Sequence, residues 1–75
     1  MNWDAELDAI GLLCPLPVLK ARKRLQALDV GQVLRVVADD PAAIIDFPHF
    51  CLESGHLLVS QSQDGDQLEF YLQKV

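Results

Sequence analysis

This 75-residue chain has few basic residues, few cysteines and no long apolar run, and these scarcities exclude several classes of protein. Basic residues are scarce, because 6 Lys and Arg stand against 11 Asp and Glu and leave a net charge of −5. A nucleic-acid-binding surface neutralises phosphates with Lys and Arg, so we expect no direct nucleic-acid partner. No apolar run approaches the roughly 20 residues of a bilayer-spanning helix, and the acidic start does not resemble a secretion signal. We therefore expect no membrane partner and a cytoplasmic location.

Cysteine is scarce as well, since only Cys14 and Cys51 occur. Two cysteines are too few for a secreted disulfide scaffold, and no Cys-x-x-Cys pair is present for dithiol redox chemistry. The two histidines, His49 and His56, give with Cys51 only three potential ligands, at a spacing that matches no strong zinc pattern. We therefore predict no metal site and no cofactor. In a reducing compartment, each cysteine is either a buried small hydrophobic residue or a reactive thiol.

Length and composition indicate one globular domain over residues 1–75. Hydrophobic residues make up 51% of the chain and charged residues 23%, an ordinary globular balance. A domain of this size buries only about 60% of the surface that its unfolded chain exposes. We therefore expect any chemistry to take place at the surface or in a shallow groove.

The pattern of apolar residues, prolines and glycines predicts the element order β-α-β-α-β-β. The predicted strands are residues 5–10, 33–38, 57–60 and 68–72; the predicted helices are 15–28 and, in two pieces, 41–46 and 48–54. Pro48 divides the second helix because an interior proline removes a hydrogen bond and clashes with the preceding turn. Asp64-Gly65 is typical of a hairpin between the last two strands.

This order predicts an α+β two-layer sandwich, in which two helices cover one face of a four-stranded mixed sheet. The first crossover is expected to be right-handed, which makes the first two strands parallel. Arg35 makes the other face of the sheet partly polar, so a monomer is the default expectation. Five aromatic residues are interpreted as core or sheet cover: Trp3, Phe47, Phe50, Phe70 and Tyr71.

The segment Cys14-Pro15-Leu16-Pro17 is the most informative local feature. If Pro15 is the first helical residue, Cys14 is the N-cap and meets the free N–H groups of the first turn, those of Leu16 and Val18. These donors and the helix dipole lower the pKa of a thiol and favour the nucleophilic thiolate. The prolines fix the direction of the sulfur, which suits handing an atom between partners. The alternative is a buried cysteine that happens to precede a helix.

Residues 8–17 resemble the N-terminal signature of the TusA (SirA-like) sulfur-carrier family, in which Cys-Pro-x-Pro follows a short strand and a glycine. Residues 38–42 and 46–51 resemble the second block of that family in its TusA branch. The resemblance covers nearly the whole chain and implies a two-layer sandwich of four strands and two helices. One departure is Leu16, which stands where TusA proteins commonly have Glu.

The resemblance implies that Cys14 accepts a sulfur atom from a cysteine desulfurase as a persulfide and passes it to a downstream relay protein. The best-known route of the family ends in 2-thiolation of the tRNA wobble uridine, while other members feed molybdenum-cofactor or sulfur-oxidation routes. Such a protein is a sulfurtransferase-like relay rather than a turnover enzyme with its own substrate pocket. The alternative is a regulatory or protein-interaction module of the same fold.

Candidate partner-binding residues lie along the first helix. Its buried stripe is predicted to consist of Val18, Ala21, Leu25 and Leu28. Leu19 falls outside this stripe beside Arg22 and Lys23, and the three form a candidate docking edge one turn from Cys14. The alternative is a solvated helix with one exposed Leu.

Two acidic residues are expected near Cys14. Asp39 and Asp40 follow the second strand and Cys14 follows the first, and the carboxyl ends of parallel strands share one edge of a sheet. One of the two is expected to cap the second helix, and Asp40 is the candidate for partner binding. Cys51 lies in an apolar helical stretch and is interpreted as a packed core thiol.

Overall fold

A four-stranded sheet and two helices make up the structure, a computed structural model that describes residues 2–75. The elements are β1 (Ala5–Ala9), α1 (Leu16–Gln26), β2 (Val33–Ala38), α2 (Ala43–Ser54), β3 (Leu57–Asp64) and β4 (Gln67–Gln73). The sheet order is β1-β2-β4-β3; β1 and β2 are parallel, and the other neighbours are antiparallel. The predicted fold class and element order are confirmed.

The core lies between the helices and one face of the sheet. Val36 of the central strand β2 pairs with Leu7 on one side and Phe70 on the other, and all three are buried on the same face. The alternation of apolar and polar residues along β1 places its apolar side chains on that face, as period-two patterning requires. Phe47 of α2 stacks against Phe70 with ring centroids 4.5 Å apart. No helix of residues 2–75 is long and apolar enough to cross a membrane.

Helix α1 covers the β1 side of the sheet with the predicted stripe. Ala21 and Leu25 are fully buried, and Val18 and Leu28 are partly buried against the core. The helix is shorter than the predicted 15–28. At its end the N–H groups of Ala27 and Leu28 donate to carbonyls three residues back, which tightens and ends the last turn.

Helix α2 is continuous through Pro48, so the prediction of two pieces was wrong. Pro48 lacks the N–H that would reach Ile44, which costs the helix one hydrogen bond. Packing keeps the helix together, because Ala43, Phe47 and Cys51 form one buried stripe on both sides of the proline. The helix ends before Gly55, which is in the left-handed conformation at φ 85°.

The hairpin strands are longer than predicted. β3 continues to Asp64 with a bulge between Leu58 and Ser60, and most of its second half is exposed. That exposure gives the sequence little apolar alternation, which explains the underprediction. Gly65 takes φ 60° at the first position of the two-residue turn, a conformation that glycine adopts without strain.

The second face of the sheet carries no helix. Arg35 forms ion pairs with Glu6 and with Glu69, the latter at 2.6 Å. Trp3 lies over this cluster, with its ring 5.8 Å from that of Tyr71 and 5.2 Å from the Arg35 guanidinium carbon. The aromatic residues thus act as core or sheet cover, as predicted.

Candidate functional site

Cys14 lies in the loop that follows β1, at the edge of the sheet where the parallel strands end, and it is exposed. Two aspartates after β2 hold this loop. Asp39 accepts a hydrogen bond from the Gly11 N–H at 2.9 Å, and Asp40 accepts one from the Cys14 N–H at 2.7 Å. The expected proximity to Cys14 is therefore confirmed for Asp40, whereas Asp39 contacts the same loop at Gly11.

Cys14 is not the N-cap of α1, so this part of the sequence-based prediction was wrong. Pro15 occupies the cap at φ −99° and ψ 15°, and no side chain caps the helix. The Leu16 N–H, expected to face the sulfur, donates to the Leu13 carbonyl at 2.9 Å. Cys14 lies in the loop one residue before the cap, and its own N–H is bonded to Asp40. The peptide bond between Cys14 and Pro15 is cis.

The electrostatic environment of the Cys14 thiol also differs from the prediction. Its pKa is raised rather than lowered, first by a hydrogen bond with the Asp46 side chain, then by desolvation and by the charges of Asp46 and Asp40. Nearby carboxylates favour the neutral thiol over the thiolate. The raised pKa favours the protonated thiol of Cys14 in the resting protein.

Asp46 is the site residue that sequence reasoning missed. It lies in the first turn of α2, which begins at the same edge of the sheet as the Cys14 loop. The available signal was topological, because the helix after the second parallel strand starts beside the loop after the first. From the sequence, Asp46 was the end of a short helical piece and the first residue of the second family block, with no role assigned to it near the sulfur.

Asp40 ties the two loops together. Its Oδ2 accepts the Cys14 N–H, and its Oδ1 accepts the Ala42 N–H at 3.1 Å. These two bonds lower the pKa of the Asp40 carboxyl group, since each stabilises the ionised form. Asp40 thus shapes the entry to α2 without capping it. The N-cap is Ala42 and no side chain caps the helix, so the expectation that one of the two aspartates is the cap was wrong.

The remaining motif residues surround the thiol on different sides. Leu16 is exposed, while Pro17 packs on the buried side of α1 and Val18 is half-buried against the core. Leu13 is 71% exposed and, with Leu16, flanks the thiol with apolar surface. Val18 belongs to core packing rather than to the sulfur environment.

The residues of the predicted docking edge do not lie in one groove. Leu19 is 50% exposed on the outer surface of α1. Arg22 lines a groove toward α2 with Phe50 and Glu53. Lys23 lines a separate groove toward β1, so it does not share a cleft with Arg22.

The two cysteines differ in access. Cys51 is 5% exposed and belongs to the core between α2 and the sheet, as predicted. Burial raises the pKa of the Cys51 thiol. Both cysteines are free, and Cys14 is the one that a partner can reach.

Comparisons with known proteins show the family of this chain. The sequence model of the family described as sulfurtransferase TusA matches residues 5–74. The chain belongs to this family. A sulfur carrier protein TusA from Allochromatium vinosum is 44% identical over 73 residues, which cover 97% of this chain and 96% of that relative. A sulfur carrier protein TusA from Pseudomonas syringae is 39% identical over 74 residues, covering 99% and 88% of the two chains.

A solved structure shares the fold of this TusA-family chain. The crystal structure of a SirA-like protein from Desulfitobacterium hafniense superposes with a TM-score of 0.82 at 25% identity. The alignment covers 93% of this chain and 96% of that one. The two-layer sandwich is therefore a fold of the wider family.

Proposed function

We propose that this protein is a sulfur carrier that holds the transferred sulfur atom as a persulfide on Cys14. The observation that carries the proposal is that Cys14 is an exposed thiol on an anchored loop, while Cys51 is buried. Membership of the TusA family and the two relatives described as sulfur carriers support this chemistry.

The proposed transfer is an exchange between two sulfur centres. The Cys14 sulfur attacks the outer sulfur of a persulfide on the donor, a cysteine desulfurase. A new S–S bond forms on Cys14 while the S–S bond of the donor breaks, and the proton released by Cys14 returns to the donor thiol. Delivery to a downstream relay protein repeats the exchange in the other direction. The carrier is thus a reactant that its donor regenerates, and the exchange requires no cofactor.

The proposed destination of the sulfur is 2-thiolation of the tRNA wobble uridine through relay proteins, without direct contact between this chain and RNA. The support is the second sequence block, residues 38–42 and 46–51, which resembles the TusA branch of the family. We place this function in the cytoplasm, where a reducing environment keeps both cysteines free. In cells that lack the protein, 2-thiouridine should fall and should return with the parent chain but not with Cys14→Ser. Unchanged 2-thiouridine would exclude this destination.

Loading itself is tested with a cysteine desulfurase and radiolabelled cysteine. The parent protein should gain one sulfur atom that reductant removes, as read by intact mass and by label. Cys14→Ser should gain none, whereas Cys51→Ala, the matched control, should load normally. If Cys14→Ser still accepts sulfur, Cys14 is not the carrier residue.

The partner surface is proposed to include Leu19, Arg22, Lys23 and Asp40. Donor and carrier must bring two sulfur atoms into contact, so the partner has to cover the surface around Cys14. Leu19 offers an exposed apolar anchor, and the cations of α1 steer an acidic partner toward the site. Asp40 lies next to Cys14, because its carboxylate accepts a hydrogen bond from the Cys14 backbone N–H.

A charge-reversal series tests this surface. Arg22→Glu should weaken donor binding strongly and Leu19→Ala less strongly, with Cys14 alkylation unchanged in both. Lys74→Glu makes the same change of charge at the far end of α1, where Lys74 contacts the Gln26 carbonyl. It should leave donor affinity unchanged. Equal losses for Arg22→Glu and Lys74→Glu would show diffuse electrostatics instead of a docking edge.

A further inference from the structure

The two edge strands of the sheet are protected to different degrees. β1 has five residues, and the Arg24 guanidinium donates a hydrogen bond to its Glu6 carbonyl at 3.0 Å. β3 has eight residues, with no proline and no basic side chain among them. Its backbone hydrogen bonds within residues 2–75 all go to β4, which leaves the outer side of β3 unpaired. Because proteins commonly protect an edge strand with lysine, proline or a short length, β3 is the edge that is open to pairing.

The bulge in β3 interrupts the pairing only in its first half. It lies between Leu58 and Ser60, whereas residues 60–64 oppose β4 one to one. A regular edge of this kind accepts an extended peptide of matching length as an additional strand. In such a complex the main-chain hydrogen bonds supply affinity, and pockets for alternate side chains supply specificity.

An apolar groove lies between the second half of β3 and α2. Its lining includes Ile44 of α2 and two buried core residues of β4, Leu68 and Phe70. The β3 partners of these two core residues are Gln63 and Gln61, which are exposed. The apolar row of the core therefore ends in polar side chains at the edge of the sheet. Alternate apolar side chains of an added strand would extend that row over the groove.

The opposite face and one end of the groove define the remaining chemistry of the segment. Ser60 and Ser62 lie on the open face of the sheet, where polar side chains of an added strand fit beside them. Asp64 ends β3, and the groove continues past Asp39 and Asp66. Three carboxylates at one end of the groove favour a partner that carries positive charge at that end.

We propose that residues 60–64 of β3 and the adjoining groove bind an extended segment of a partner protein. The segment pairs antiparallel to β3, the slightly more stable arrangement, with apolar side chains at alternate positions. Its N-terminal end carries Lys or Arg and lies beside Asp39, Asp64 and Asp66. A second copy of this chain fits less well, because each copy has a net charge of −5 and the same three carboxylates.

This inference goes beyond the proposed function and does not depend on it, because none of its contacts involves Cys14. β1, β2 and β3 nevertheless run in the same direction, so the acidic end of the groove lies at the sheet edge of the Cys14 loop. A partner held by this segment is therefore kept close to the sulfur site.

The test uses a fluorescein-labelled peptide, Lys-Lys-Val-Thr-Val-Thr-Val, titrated with the full chain and followed by anisotropy. We expect saturable binding, and we expect amide hydrogen exchange, read by NMR, to slow within residues 60–64 but not within β1. A peptide that begins with Glu-Glu should bind more weakly, and added salt should reduce the difference between the two peptides. Absence of binding by the parent protein, or protection of β1 instead of β3, would overturn the inference.

Two pairs of matched variants locate the site. Ile44→Asp should weaken binding by about tenfold or more, because it places a charge in the apolar groove. Ile45→Asp, the same change at the next residue, which is 74% exposed outside the groove, should leave the Kd unchanged. Asp66→Asn should weaken binding of the Lys-Lys peptide by up to about fivefold. Asp29→Asn, at the opposite end of the sheet, is its control and should have no effect.

Equal affinities within both pairs of folded variants would overturn the site. Sedimentation of the parent protein without peptide tests the other occupant of the edge. The proposal expects a monomer in this measurement. A concentration-dependent dimer that Ile44→Asp abolishes and Ile45→Asp keeps would assign the edge of β3 to a second copy of the chain, and the partner segment would be rejected.

Discussion

Two thiols in one small chain have raised pKa values for different physical reasons. Carboxylates raise the pKa of the exposed Cys14 thiol, with a hydrogen bond to Asp46 as the largest cause. Burial alone raises the pKa of Cys51. An electrostatic cause can be changed by one substitution or by a partner that brings positive charge. Burial changes only when the core opens, so the environment of Cys14 is the adjustable one.

Cys51→Ser is expected to separate folding from chemistry. The hydroxyl would occupy a core position without a hydrogen-bond partner, at a cost of about 1–3 kcal/mol in the free energy of unfolding. Urea unfolding measures this loss. Sulfur loading should remain at the parent level wherever the variant is folded. Loss of loading in a folded Cys51→Ser protein would give Cys51 a chemical role.

Asp40 should contribute to stability in a pH-dependent manner. Its pKa is lowered below the ordinary value of 3.8 by the N–H groups of Cys14 and Ala42. The folded state therefore favours the ionised carboxylate. This stabilisation is fully present above about pH 4 and is lost as the pH falls through the lower pKa of the folded state.

The test compares urea unfolding of the parent and Asp40→Asn between about pH 6 and pH 2. The variant should be less stable at pH 6, and the gap should narrow toward pH 2, because the amide does not titrate. Glu69, whose pKa is also lowered, keeps part of the acid dependence in both proteins. A gap that stays constant with pH would contradict this role of Asp40.

At the scale of single elements, tertiary packing keeps α2 helical although Pro48 lies in its interior. Pro48 leaves the Ile44 carbonyl without its helical donor, yet the helix continues from Ala43 to Ser54. The buried stripe through Phe47 and Cys51 is continuous only if both halves share one axis. Burial of a Phe or Leu side chain contributes about 1.5–3 kcal/mol, which is comparable with the penalty of one interior proline.

Restoring that hydrogen bond should stabilise the protein. Pro48→Ala supplies the missing N–H and is expected to raise the free energy of unfolding by about 1–3 kcal/mol, as measured by urea denaturation. Leu52→Ala, at a position that is 83% exposed on the same helix, is the control and should change stability little. If Pro48→Ala lowers stability, packing of the proline ring stabilises the protein more than the missing hydrogen bond would.

The whole molecule has two unequal sheet faces. One face is covered by both helices and holds the core, and the other is covered by side chains alone. On that second face, Arg35 joins Glu6 and Glu69 across three strands, and Trp3 packs over the cluster. Glu69 has a lowered pKa because Tyr71 and Arg35 stabilise its ionised form. This cluster holds β1, β2 and β4 in register on the face that lacks helices.

Arg35→Met should therefore destabilise the fold through charge. The substitution leaves Glu6 and Glu69 without their shared cation, so the melting temperature should fall at pH 7. The deficit should shrink as the pH falls through the lowered pKa of Glu69, because the parent then loses its ion pair between Arg35 and Glu69 as well. Arg22→Met, which removes an exposed arginine from α1, should have little effect. A deficit that stays constant as the pH falls through that lowered pKa would show that Arg35 acts by packing alone.

The sequence by itself determined the features that depend on neighbouring residues. Alternating and helical periodicity, helix-stop glycines and the hairpin glycine gave the element order, the two-layer class and the core position of Cys51. The Cys-Pro-x-Pro segment identified Cys14 as the residue of interest. These signals are local, because each of them lies within the sequence of a single helix, strand or turn.

Only the tertiary structure decided how the sulfur is surrounded. Asp40 is 26 residues from Cys14 in sequence, and Asp46 lies still further along the chain, so no local pattern reports their contacts. Asp40 holds the Cys14 backbone through its N–H, and the carboxylates of Asp46 and Asp40 reverse the expected direction of the Cys14 pKa shift. The continuity of α2 is likewise fixed by the sheet on which it packs. Sequence patterns report the conformation that a segment prefers by itself. The charges around a reactive sulfur depend on contacts between segments that are far apart in sequence.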